Sequence, residues 1–131
     1  MIRDFFRVLL VFWAGSLWSL AGVAYVLFHA QPDRHLSGLL VGRLLTGESY
    51  LGLAVGILAV LLPGRTRFLW GYLAALLMAA NEWGLRRVMD ASHARGAAWG
   101  LSFGAWHGVS VLLYGLACVA LILLIWREDF R

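Results

Sequence analysis

Apolar residues fill four long stretches of the chain, and polar residues gather in three short gaps between them. The first stretch covers residues 5–28 and closes on HAQPDRH at 29–35, where Pro32 ends a helix and Asp33 is placed to cap the next. The second runs over 36–62 with interruptions at Arg43, Glu48 and Ser49. A membrane span needs about 20 mostly apolar residues. Residues 43–62 suffice if the Arg43 head group reaches an interface, which leaves 33–42 as a surface-lying or protruding helical segment. The breaker PGRTR at 63–67 sends the third stretch, 68–89, back antiparallel to the second, and after a connection at 93–96 the fourth covers 99–126. The expected fold is all-α: one domain over 1–131, an integral membrane antiparallel four-helix bundle with both termini on one side.

Composition supports lipid as the solvent. Of 131 residues, 62% are hydrophobic and 14% charged, more apolar surface than a soluble domain of this size can hide. The net charge of +4 comes from arginine alone, without lysine, and the arginines sit at the ends of the apolar stretches. That pattern anchors helix ends and is not a nucleic-acid footprint, so the expected partner is the bilayer, with a second copy or another membrane protein left open. The first apolar stretch is too long for the roughly 7–15-residue core of a signal peptide, so it is expected to remain as a helix. A lone Cys118 allows no disulfide within the chain and reads as packing.

Arg3, Arg7, Arg65, Arg67, Arg127 and Arg131 fall at the end that carries the termini, and Arg34, Arg43, Arg86, Arg87 and Arg95 at the other. Six against five favours termini in the cytoplasm. Aromatic residues mark both boundaries: Phe5, Trp70, Tyr72 and Trp126 at one, Phe28, Trp83, Trp99, Phe103 and Trp106 at the other, as an interfacial belt would. Gly38 and Gly42, Gly52 and Gly56, and the ladder Gly100, Gly104, Gly108 match G-x-x-x-G, while Gly15 and Gly22 fall seven apart. These small faces are expected to form the helix seams.

Ionisable groups inside a span need a reason, and three spans each supply one: Glu48, Glu82 and His107. Counted from the end away from the termini, they lie roughly 8, 8 and 12 Å deep. Asn81 adjoins Glu82, Arg86 follows four residues on, and Ser110 and Tyr114 continue a polar stripe below His107. The groups admit two roles. In one they bond across helices as a structural network, with Glu82 paired to Arg86 and a neutral Glu48 held by a neighbouring hydroxyl. In the other, Glu48, Glu82 and His107 form a shared site for a metal ion, a proton relay or a cation in transit. No H-x-x-x-H or E-x-x-H pair is present, so a metal would draw single ligands from different helices; a bis-histidine haem would need His107 and one of His29, His35 and His93. Those three histidines, with Asp33 and Asp90, share the same end of the chain and are expected to be solvated. No nucleophile elbow, dinucleotide fingerprint or P-loop appears, so no enzyme is expected.

The run FWAGSLW at 12–18, YVLF at 25–28, Leu36 with Gly38, the GRL at 42–44, Glu48, Glu82 with Gly84, and the final FGxxHGVSxxxY at 103–114 resemble the small membrane proteins of the transmembrane-protein-205-like group over nearly the whole chain. The resemblance implies four spans and, for its bacterial members, the inner membrane, without a settled biochemical activity. The eukaryotic relative's association with platinum-drug resistance implies at most a link to soft metals. The group often carries proline where this chain has Tyr25, and again near Arg87, so a kinked first helix is not carried over. The expected function is a structural or accessory inner-membrane protein without a cofactor; the alternatives are a small ion- or metal-handling transporter and a haem- or metal-binding redox protein.

Overall fold

The computed structural model describes residues 2–61 and 69–129. The breaker expected at 63–67, with Arg65, Arg67 and Arg131, lies outside the described residues. The chain is all-α. Helix α1 is Ile2–Ala30 and α2 is Arg34–Leu61. Then α3, Leu69–Ala79, passes into a wide π segment, Ala80–Leu85, and on into α4, Arg86–Arg95; the last helix, α5, is Phe103–Asp129. Three helical segments, Asp4–Ala30, Arg34–Leu61 and Phe103–Arg127, are long and apolar enough to cross a membrane.

Local chemistry explains the boundaries. Gln31 and Pro32 interrupt α1, and the Asp33 carboxylate then caps α2, accepting from the His35 and Leu36 amides at 2.9 and 3.2 Å. Ser37, fully buried, donates to Leu27 O at 3.0 Å and ties the start of α2 to the end of α1. From Arg34 to Leu61 the helix is unbroken, so most of 33–42, expected as a surface-lying or protruding helical segment, is the first part of α2 and continues straight into its apolar part. The fourth apolar stretch becomes helical only at Phe103, later than Trp99: Trp99 and Gly100 both take positive φ, 51° and 78°, which a helix does not allow.

Between α3 and α4 the backbone stays helical throughout, with Ala79, Leu85 and Arg86 all in the right-handed region. The Arg86 amide reaches back five residues to Asn81 O, which makes this turn a π-bulge within one rod, 69–95.

Packing partners run in opposite numerical order, as antiparallel neighbours require. Trp13, Ser16 and Leu27 of α1 meet Gly52, Glu48 and Ser37 of α2. Gly56, Ser49 and Thr46 of α2 meet Ala75, Met78 and Glu82 of the third rod. Gly71 and Asn81 of that rod meet Leu124 and Ser110 of α5. Tyr114 of α5 reaches Leu17 of α1. The core they enclose contains Phe6, Leu10, Trp13 and Leu17, Val55 and Ala59, Ala74 and Met78, and Leu121 and Leu124.

Glycine makes one of these contacts possible. The Trp13 ring reaches the backbone of α2 at Gly52, where a Cβ would sit 2.6 Å from Trp13 Cζ2. Gly42 faces the Arg86 guanidinium, Gly56 faces Ala75, and Gly71, which no motif marked, lies under Leu124. The remaining glycines expected as seams do not act as such. Among the described residues, Gly15, Gly22, Gly38 and Gly108 have nothing within 4 Å of a notional Cβ, Gly104 meets only Ser102, and Gly100 belongs to a turn. Spacing alone cannot tell the inward face of a helix from the outward one.

Gly52→Ala therefore forces Trp13 out of place, an overpacking penalty of about 1–3 kcal/mol. Gly15→Ala gains the same helix propensity, roughly 1 kcal/mol, without any clash. Unfolding of the detergent-solubilised protein should give Gly52→Ala a clearly lower midpoint than Gly15→Ala; equal midpoints would show that the Trp13 contact is loose.

Candidate functional site

The polar side chains between the helices form separate links. At the π segment, Arg86 Nη1 donates to Glu82 Oε1 at 2.6 Å and to Thr46 Oγ1 at 2.6 Å, while Thr46 Oγ1 donates to Glu82 Oε1 at 2.7 Å. The Glu82 side chain is 12% exposed and that of Arg86 45%, so the carboxylate is covered while the guanidinium extends outward along α2. Gly42 O, 3.0 Å from Thr46 Oγ1, competes for the same hydroxyl proton. This triad fastens α2 to the third rod.

The second link is reciprocal. Asn81 Nδ2 donates to Ser110 O at 3.2 Å, and Ser110 Oγ donates back to Asn81 Oδ1 at 2.7 Å. Asn81 is buried, and this pair joins the third rod to α5. Ser49, also buried, donates to Leu45 O and, at 3.5 Å, to Met78 O at the entrance to the wide turn.

The third link lies on the far side of α2. Ser16 Oγ shares its one proton between Glu48 Oε2, at 3.1 Å, and Trp13 O, at 2.9 Å. Tyr114 donates to Leu17 O and neighbours the buried Cys118 thiol. Glu48 follows Thr46 by two positions, about 200° around the helix. Glu48 thus faces α1 while Thr46 faces Glu82.

The expected layer of Glu48, Glu82 and His107 is consequently not assembled into one site. Glu82, Arg86, Asn81 and Ser110 meet around the wide turn, and Glu48 and Tyr114 both bond to α1. His107 points outward, exposed and stacked on Phe103 with ring centroids 6.1 Å apart. Among the described residues no three of His, Cys, Asp and Glu come together as a metal-holding group. Glu48, Glu82 and His107 do not converge because depth along a helix can be counted in sequence, whereas the direction a side chain faces depends on packing.

His29 and His93 are held by local contacts. His29 Nδ1–H donates to Tyr25 O at 2.8 Å and its ring stacks on Tyr25, while His93 meets the edge of Phe103. Reading only ionisable residues missed Thr46 and Ser16, the hydroxyls that hold both glutamates. Their signal was available: each is a hydroxyl within an apolar stretch, where its bond has to be found inside the protein.

No protein-family model, curated protein or solved structure matches this chain.

The Asn81–Ser110 link should be measurable on its own. In a double-mutant cycle of Asn81→Ala and Ser110→Ala, unfolding free energies should show a coupling of about 0.5–2 kcal/mol, the range of hydrogen bonds between helices in membranes. The cycle reads the bond from the Ser110 hydroxyl, since Ser110→Ala keeps the backbone carbonyl, and additive effects would mean that the hydroxyl does not bond Asn81.

Proposed function

We propose that this chain is a multi-pass membrane protein whose four helical rods cross the bilayer as an antiparallel bundle, and that its role is structural or accessory. Two features support the membrane setting. Apolar side chains cover the outside along its length, with Val8, Val11, Phe12, Val60 and Leu76 each more than half exposed, a surface soluble proteins rarely present. The third rod, divided by its wide turn, rises about 27 Å from Leu69 to Arg86, close to the roughly 30 Å of a hydrocarbon core. The polar helix α4 then continues beyond it, level with the start of α2. The likeness in residue pattern to the transmembrane-protein-205-like group supports the same four-span arrangement.

The observation that carries the structural role is the division of the polar layer into separate bonds. Glu82 is held by Thr46 and Arg86, Asn81 by Ser110, and Glu48 by Ser16. A conduit would need its carboxylates and imidazole to converge on one water-filled path. Here they fasten neighbouring helices, which suits a rigid scaffold presented to a membrane partner.

Reconstituted vesicles test this. Thr46→Val and Glu82→Gln should each destabilise the protein by about 1–2 kcal/mol, and vesicles carrying wild type should leak protons and sodium no faster than protein-free ones. A flux that depends on Glu48 or Glu82, with stability unchanged in the variants, would contradict a structural role.

A further inference from the structure

Beyond the wide turn, the polar helix α4 presents Arg87, Ala91 and Arg95 on one face at four-residue spacing. Together with Ala98 and Trp99 they line a recess of about 290 Å³. Ala91 keeps the floor low between two guanidiniums. Among the described residues, neither Arg87 nor Arg95 has a hydrogen-bond or ion-pair partner, although Arg86 beside them does. Asp90 and His93 share the helix but are absent from the recess lining.

The far wall is a built turn. Ala98 and Leu101 exchange both backbone hydrogen bonds, at 3.0 and 3.1 Å, around Trp99 and Gly100, which both have positive φ. That is a type I′ turn with tryptophan in a position that favours glycine, asparagine or aspartate. The turn is fastened from behind, where Trp106 Nε1 donates to Ala98 O at 3.0 Å and the Trp106 ring meets Trp99 edge-on at 6.0 Å. The Trp99 ring is consequently held outward, 84% exposed, and Leu101 and Phe103, which follow it at the end of the turn and the start of α5, are exposed as well. A backbone conformation unfavourable for a bulky residue, kept by three hydrogen bonds and a ring contact, presents an amphipathic ring next to two unpaired cations.

The geometry points to this recess as a binding site for the phosphate headgroup of an anionic phospholipid, Arg87 and Arg95 holding the phosphate while Trp99, Leu101 and Phe103 lie against the glycerol and upper acyl chain. Guanidinium forks suit phosphate oxygens, and tryptophan settles at the headgroup level of a bilayer. The site rests on the membrane setting proposed above, which puts α4 at the boundary where headgroups lie. A free phosphate ion would use the arginines equally well but would leave the neighbouring apolar side chains without a role, so the lipid is the occupant assigned.

Native mass spectrometry of protein released from nanodiscs of phosphatidylcholine mixed with phosphatidylglycerol tests the assignment. Wild type should retain phosphatidylglycerol over phosphatidylcholine by about 10- to 30-fold, the effect of two arginines at a membrane surface. The double variant Arg87→Gln/Arg95→Gln should lose that preference with its unfolding midpoint unchanged, and Arg127→Gln, at the other end, should keep it. Equal retention of both lipids by wild type, or a preference that survives the double variant, would overturn the site. Displacement of the lipid by an equal concentration of inorganic phosphate would overturn the choice of occupant. Failure of wild type to enter phosphatidylcholine nanodiscs would instead remove the membrane setting and this site with it.

Discussion

A polar side chain buried among apolar helices has to find its hydrogen bond within the protein, and the wide turn at Ala80–Leu85 is where this chain meets that constraint most fully. Two adjacent residues there serve two different helices. Asn81 turns to Ser110 on α5 and Glu82 to Thr46 on α2, with Arg86 closing on the same carboxylate. Three rods are joined through two neighbouring positions in the sequence. An isolated carboxylate at this place would be costly; bonded to a hydroxyl and a guanidinium, it becomes a fastening.

The opposite face of α2 repeats the solution on a smaller scale. Glu48 takes the Ser16 hydroxyl, and in the same stretch of α1 Trp13 lies against the bare backbone of Gly52. Close approach without a side chain and a hydrogen bond one turn away act together, since each fixes the register that the other needs. α2 is thus the helix on which both glutamates depend, one on each side, and this is why they do not meet.

How much of this was legible in the sequence follows from what each signal measures. Long apolar runs reveal helices because crossing a bilayer would need that length, and Asp33 after Pro32 marks a cap because its short side-chain oxygen reaches those amides. The late start of α5 was hidden, since Trp99 and Gly100 look like ordinary span residues and nothing in composition reports a positive φ. The wide turn was hidden for the same reason: Ala-Asn-Glu-Trp-Gly-Leu is compatible with a regular helix. Facing direction was the largest loss. Gly52 and Gly108 are equivalent as motif residues, yet one underlies Trp13 and the other, among the described residues, has nothing within 4 Å of a notional Cβ. His107 and Ser110 are three positions apart on one expected stripe, yet Ser110 bonds to Asn81 while His107 faces outward.

Separate polar links, in place of one shared site, are the central claim, and thermodynamic coupling measures that directly. Double-mutant cycles on unfolding in detergent would pair Glu82→Gln in turn with Thr46→Val, Glu48→Gln and His107→Gln. Separate links predict coupling above about 0.5 kcal/mol for Thr46 and additivity within about 0.5 kcal/mol for Glu48 and His107. Strong coupling of Glu82 to Glu48 or His107, with none to Thr46, would mean that the three ionisable groups act as one site and that the helices are fastened in another way.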